Sequence, residues 1–580
     1  MVALQNRIKA VVQALVMIII FFPGWINAQT NYPQDYFRPP VDFRMLLSGT
    51  FGELRAGHFH SGMDIKTGGV SGKNIYAVAD GYVSRIKVSA TGFGKTLYIT
   101  HPNGYVSVYA HLSRFNKNIA PYVKATHYQY ESFELNVYPD KDEFPLKKGE
   151  VIAYSGNTGG SNGPHLHFEM RLQVSQTPVN PLLFGYEVKD YIRPEIHWLK
   201  VYPASSGGRI DGNTEAKVYQ VDGWGEQHRI KDYDTIHVSG DFSLGINTWD
   251  KLNDASNKNG VYRIELYADS TLVYSHDLEK FDFAESRYIN SLIDYHDYVD
   301  KKRRYQRTEI DPNNKLSIYH KVVNEGVLHF NKSGIHYLEY VVTDFEGNVS
   351  RLPIVLMNHN AKLLIGELPP EGSVHFLHNM KNKFQAEHFE MSLSGTAIYR
   401  DMWFEYDTLS MPVGTYSRIH RIHNDRTPVH KYYDVKIVPD SIPDDTSKLL
   451  LARIPDKGDY ISYGGTWDDG ALKSSLRSFG DFVVLIDTIP PEVNSVNIAS
   501  GTIKSDRKTV KVKIEDNLSG IKKFKATLNG SWLLMEYDAK NSLLTYTIDE
   551  RLKKGSNIFT VELTDQRDNT IIFKKTLVRE

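Results

Sequence analysis

At 580 residues the chain is too long for one core, and a prior of about 150 residues per domain gives roughly four. Hydrophobic residues make up 41% and charged residues 24%, a folding composition, and a net charge of -1 gives no whole-chain attraction to nucleic acid. With no cysteine there can be no disulfide scaffold, thiol nucleophile, Cys-bound zinc or iron–sulfur site, or lipidated N-terminal Cys. The 36 tyrosines and 26 phenylalanines lean towards β structure.

Arg7 and Lys9 precede an uncharged apolar run over residues 10–22, and small Ala28 stands just before Gln29. That order predicts a secretory signal over residues 1–28. The run is well short of the ~20 residues that span a bilayer as a helix, which sets aside the competing reading as an uncleaved anchor. The mature chain is therefore expected to be exported to the periplasm or cell surface, or secreted.

Residues 29–190 form the first expected domain. Residues 75–86 alternate around Asp80-Gly81, and residues 95–101 and 105–112 read as two strands joined by Pro102-Asn103-Gly104, a hairpin signal. An aromatic, acidic stretch at 118–145 interrupts the pattern and reads as an insertion with some strand of its own. Residues 151–154 and 165–172 resume the sheet on either side of the glycine-rich loop 155–164. Beyond Pro194, short β-rich runs with Asn, Asp and Gly turns predict domains at 191–360, 361–488 and 489–580, the first and last immunoglobulin-like sandwiches. Residues 334–348 align without gaps to 555–569, sharing a Thr-Asp step and a closing Asn. Asp487-Thr488-Ile489-Pro490-Pro491 reads as a stiff linker.

Chemistry concentrates in the first domain. His60 and Asp64 stand in His-Ser-Gly-Met-Asp, His111 in Tyr-Ala-His-Leu, and His165 and His167 in His-Leu-His. Residues two apart on a strand share a face, so His165 and His167 project into one space. Imidazole and carboxylate are the ligands zinc accepts without thiolate, and a catalytic zinc takes three protein groups and leaves one position open. His60, Asp64 and one of the neighbouring histidines supply that count, leaving two histidines to handle protons.

Within GHFHSGMDI and GNTGGSNGPHLHFEMR this set resembles the LytM/lysostaphin-type (M23) zinc metallopeptidases, over about residues 52–183. The resemblance implies a mainly β chain: an antiparallel β-sheet peptidase domain followed by β-sandwich domains. It implies one Zn2+ held by His60, Asp64 and His167, with His111 and His165 polarising the attacking water and stabilising the tetrahedral oxyanion. The implied substrate is the peptide stems and cross-links of bacterial peptidoglycan. No residue of the set is missing, and the departure is the 118–145 stretch, where similar enzymes have a shorter link. Two other readings stand beside it. A silent or gated peptidase fold would bind the wall and regulate another hydrolase, and the β-rich tail would dock an envelope protein partner.

Other features carry less. His58 shares a strand face with His60 but lacks the spacing to Asp64, so it reads as groove wall, and His101 at the hairpin tip reads as surface. His375 with His378, and His420 with His423, have no clear third ligand. The basic run at 301–304 reads as a solvated face, and the tail tyrosines as core and cross-strand pairs rather than sugar platforms.

Overall fold

The computed structural model describes residues 32–205, 207–359 and 369–580. The segment read as a secretory signal and the expected boundary near 360 lie outside them. No helix among the described residues is long and apolar enough to cross a membrane.

The first domain is built on a nine-stranded sheet. Its main strands are β1 (Leu47–Gly49), β2 (Met63–Lys66), β3 (Gly81–Val88), β4 (Lys95–Thr100), β5 (Tyr105–Leu112), β6 (Leu135–Val137) and β7 (His165–Leu172). The spatial order is β1-β2-β7-β5-β4-β3-β6, with antiparallel neighbours throughout. Alternation on β7 sets the layout. Leu166, Phe168 and Met170 are fully buried in the apolar core, while His165, His167, Glu169 and Arg171 face the other side. A smaller sheet of Asn74–Tyr76, Val151–Tyr154 and Arg114–Phe115 closes the domain.

The 118–145 stretch holds more than strand. It opens with helix α1 (Ile119–Tyr130) before β6 pairs with β3. The buried residues of α1 are Ile119, Val123, Thr126 and His127, the i, i+4, i+7, i+8 stripe of a surface helix. Two of the four, Thr126 and His127, are polar, which hid the stripe in the sequence. Asn116 Oδ1 accepts from the backbone N–H of Asn118 and Ile119 and so starts the helix.

Three further cores follow. Residues 195–359 make a twelve-stranded sheet around Leu199, Leu266 and Tyr340. Residues 374–486 enclose Phe389, Leu451 and Phe482 between two five-stranded sheets. Residues 492–579 enclose Val512, Leu544 and Phe559 between sheets of four and five strands. Both copies of the repeated segment form the first strand and turn of a long antiparallel hairpin, Gly334–Thr343 with Val349–His359 and Gly555–Asp565 with Thr570–Arg579.

Each core is tied to the next, and the last returns to the first. Phe51 and Phe59 of the first domain pack with Phe281, Leu278 and Ile289 of the second. Asn313 donates to the carbonyls of His378, Gly395 and Ile398 in the third. Arg567 of the fourth donates to Leu449 and Gly465 of the third. The fourth then seats on the first: Lys95 pairs with Glu536, Lys124 with Asp549, and Arg551 stacks over Tyr128 of α1.

Candidate metal centre

β2 and β7 pair so that Asp64 lies directly opposite His167. His60 enters from the loop before β2, which is pinned at Phe59 by a bond from its N–H to Ser286 Oγ and by the apolar cluster around Phe281. Three donor atoms converge. His60 Nε2 lies 3.1 Å from Asp64 Oδ1 and 3.0 Å from His167 Nδ1, and His167 Nδ1 lies 3.0 Å from Asp64 Oδ1. All three residues are buried.

The outward ring nitrogens are held so that the inward ones are bare. His60 Nδ1 donates to the Thr50 carbonyl at 2.7 Å, and His167 Nε2 donates to Glu169 Oε1 at 2.9 Å. Two imidazole nitrogens and a carboxylate oxygen face one another, the donor set a zinc ion takes when the ring protons sit on the outward nitrogens. Burial alone would raise Asp64, but the surrounding histidines hold it well below the usual carboxylate range. Burial likewise opposes charge on His167, yet bonds to Asp64 and Glu169 push it up to about 9 in the metal-free site.

His111 and His165 border the same space. Their rings lie 4.8 Å apart, and His165 Nε2 is 3.4 Å from Asp64 Oδ1. His165 Nδ1 donates to the Gly163 carbonyl and His111 Nδ1 to the Thr158 carbonyl, each at 2.8 Å, so both present Nε2 to the site. Burial, then the neighbouring His167 and His165, brings His111 down to about 3. Simple alternation would point His111 away, because Ala110 is the residue opposite His167. The β4–β5 register slips beside it, and His111 takes a φ of 57°, a bulge that turns the ring back onto the His167 face. The loop carrying Thr158 can reach the site because position 156 is glycine; a Cβ there would sit 2.3 Å from the Ser113 nitrogen.

Sequence comparison agrees with this geometry. The profile of Peptidase family M23 matches residues 58–128 and 137–181, which contain all five residues. The chain carries an M23 peptidase domain. The match runs through most of α1 and pauses only at 129–136. A Zu5-like domain matches residues 373–487. The M23 region is 33% identical over 129 residues to a DD-carboxypeptidase/endopeptidase, Mpg, of Neisseria meningitidis, covering 22% of this chain and 23% of that protein. It is 30% identical over 155 residues to the murein hydrolase activator NlpD of Escherichia coli, covering 27% and 32%. The chain thus spans only about a quarter to a third of these two relatives. Among solved structures, the catalytic domain of the antimicrobial peptidase lysostaphin from Staphylococcus simulans aligns over 24% of this chain and 92% of its own, at 23% identity and a TM-score of 0.19.

Around the M23 site, several expectations change. Glu169 was not singled out, although it shares the strand face of His165 and His167, and that periodicity was the signal for it. It is fully buried and accepts from His167, Ser61 and Arg171. Arg55, on the far side, donates to Asp64 Oδ2 and Glu53 Oε2. His101 is not a surface residue. It is 2% exposed under Phe37, bonded to the Asp80 carbonyl and Ser107 Oγ, because the segment before β1 folds over the hairpin tip. His58 is exposed, with Nδ1 bonded to the Ala56 carbonyl. His420 is buried against Tyr406 and His423 bonds Thr427, while His375 stacks on Trp403 and His378 pairs with Asp401. Among the described residues these four join no three-ligand group. Of the basic run, Lys301 pairs with Asp297, and Arg303 and Arg304 cover Trp198 and Tyr298.

Proposed function

We propose that this chain is an exported zinc metalloendopeptidase that hydrolyses peptide cross-links of bacterial peptidoglycan. The observation that carries the reading is the convergence of His60 Nε2, Asp64 Oδ1 and His167 Nδ1, with His111 and His165 presenting Nε2 beside them. His60, Asp64 and His167 would hold the zinc, which supplies Lewis acidity to water and to a scissile carbonyl. The protein's own part is proton handling and orientation. His111 enters neutral, held with Nδ1–H on the Thr158 carbonyl, so its Nε2 is free to take a proton from the attacking water. A ring protonated at Nε2 then donates to the oxyanion or to the departing amine, charge that develops only in the transition state. The Mpg relative, named for carboxypeptidase and endopeptidase activity, supports the substrate class.

One observation favours a gated form of the same site. Lys540 of the last domain donates to the carbonyls of Asn157 and Ser161, on the loop that positions His111 and His165. The NlpD relative, named as an activator, fits a regulatory role as well. Digestion of purified sacculi by the mature chain, with and without a chelator and with His165→Ala, separates the readings. Chelator-sensitive, His165-dependent loss of cross-linked muropeptides is the result expected of the enzyme. Zinc-loaded protein that leaves every sacculus intact would transfer the assignment to a regulator.

A further inference from the structure

Two groups of three aspartates lie outside the histidine site, and they are copies of one another. Asp190, Asp250 and Asp344 bring one carboxylate oxygen each within 4.8 Å of the others, and so do Asp487, Asp516 and Asp565. In each copy the first Asp leads into the opening strand of a domain through the same spacing. Asp190-Tyr-Ile-Arg-Pro-Glu195 and Asp487-Thr-Ile-Pro-Pro-Glu492 share Asp, Ile, Pro and Glu. The second Asp directly follows a strand, Phe242–Trp249 or Thr509–Glu515. The third stands at the turn of the repeated hairpin, four residues before Asn348 or Asn569.

The copies agree bond by bond. The first Asp accepts at Oδ1 from the N–H of Ile192 at 3.0 Å or Ile489 at 3.2 Å. The third accepts at Oδ1 from the backbone of its Asn at 2.9 Å, and at Oδ2 from the Asn side chain at 2.7 Å, in both places. That same side chain donates to the carbonyl of the first Asp, from Asn348 to Asp190 and from Asn569 to Asp487. Among the described residues no Lys, Arg or His forms an ion pair with any of the six. Beside the second copy, the Arg567 guanidinium bonds the Leu449 and Gly465 carbonyls and feels the charge of Asp565 and Asp487 without pairing with either. Asp250 is 2% exposed, and its Oδ1 is buried with no hydrogen-bond partner; Asp516 is half-buried, and its Oδ1 is likewise covered and unpartnered. A cavity of about 20 Å³ adjoins the first triad, lined by Asp190, Asp250, Thr50 and Asn180 together with apolar residues such as Leu252 and Val261, with Asp344 outside its lining.

Gathering three carboxylates side by side without a paired cation is costly, and an orphaned oxygen inside the group adds to the cost. We propose that both triads are cation sites, each taking one hard divalent ion, calcium in the first instance. An all-oxygen donor set excludes zinc as the preferred occupant, and calcium accepts the irregular geometry of carboxylates fixed by backbone bonds where magnesium demands a near-octahedral shell. The cation would join the opening strand of each domain to its closing hairpin. At the first triad it would also sit against Thr50, whose carbonyl holds His60. The site is independent of the peptidase reading. Its competitor is the proton, since burial and the neighbouring carboxylates raise Asp190 to about 7 and Asp250 to about 9 while no cation is present.

The test uses the full mature chain, zinc-loaded, in calcium-free buffer. It is titrated with calcium chloride by calorimetry, with zinc content and circular dichroism checked in each sample. Wild type is expected to bind about two calcium ions with Kd of about 10⁻⁴–10⁻³ M or tighter. Asp250→Asn and Asp516→Asn should each bind one, and the double variant none, all three keeping zinc and secondary structure. Calcium should raise the Tm of wild type and leave that of the double variant unmoved. No saturable uptake at 10-fold above that range (about 10 mM) would overturn the proposal. So would single variants with wild-type stoichiometry, or an Asp250→Asn chain whose Tm rises equally with and without calcium, the mark of a triad held by protons. Magnesium binding without calcium binding would overturn the choice of ion.

Discussion

Replacing Glu169 with glutamine tests how the inward nitrogen of His167 is kept available to the proposed zinc. The carboxylate is fully buried, with Oε1 accepting from His167 Nε2 at 2.9 Å and Oε2 from Arg171 Nε at 2.6 Å. Glutamine keeps the volume but brings one NH2, which must face either Arg171 or His167. Facing Arg171, it sets donor against donor and leaves a buried guanidinium without its anion, a loss of about 3–5 kcal/mol. Facing His167, it can be satisfied only if the ring moves its proton to Nδ1, the atom that points at Asp64 and His60. Outer partners of this kind typically change metal affinity by about 10–100-fold, or about 1.4–2.8 kcal/mol. Zinc competition against a chromophoric chelator, beside thermal unfolding of the metal-free chain, reads the two effects separately. Arg171→Met is the control, expected to lose stability while keeping zinc affinity within a few-fold. A Glu169→Gln chain that unfolds more easily yet binds zinc as tightly as wild type would refute the positioning argument.

Three other outcomes follow from the structure. Phe281→Ala opens the cluster that clamps the His60 loop, where Phe281 lies 5.0 Å from Phe51 and 5.2 Å from Phe59; unfolding should cost about 3–5 kcal/mol less, read by denaturant titration, and zinc binding should weaken with it. Lys540→Met removes donors to the Asn157 and Ser161 carbonyls, so hydrogen exchange over residues 156–163 should quicken by about tenfold, taking about 1.5 kcal/mol for a charged hydrogen bond; unchanged exchange would mean the last domain does not restrain the loop. Asp549 is brought down from 3.8 to about 2: burial opposes this, but Lys124 and Tyr546 outweigh it. A lowered carboxyl pKa stabilises above its unfolded value and ceases to do so as pH falls from about 4 to about 2, so docking of the last domain on α1 should weaken in that window by about 1 kcal/mol after solvent screening. Fluorescence of Trp532, which packs on Tyr128, is the readout, and Lys124→Met should flatten the response.

Period-two reasoning placed His165 and His167 on one face, and the same rule extended by one step would have reached Glu169. It had no means to place His111, because a register slip and a positive φ reverse the face that alternation assigns. Context within the motif identified that residue; geometry read from spacing would have discarded it. Helix α1 was missed because only two of its four buried positions, Ile119 and Val123, are apolar, Thr126 and His127 completing the stripe, and Pro121 stands in its first turn. His101 went astray because a hairpin tip is a surface feature only until a distant segment covers it, and Phe37 lies 64 residues earlier. The repeated hairpin was visible as an echo of Thr-Asp and Asn. Its partners Asp250 and Asp516 were not, since they come from strands at different distances along the chain.

The return of the fourth domain onto the first has a consequence for the order of assembly. A ribosome releases the histidine-bearing strands long before residues 531–551, which brace α1 and the 156–163 loop. The site's residues are thus present early, while their finished surroundings depend on a segment made much later. A chain cut short between residues 190 and 530 would retain every candidate zinc ligand and lack that brace. The presence of residues 531–551 is in this way registered at the rim of the candidate site, some 380 residues upstream of Lys540.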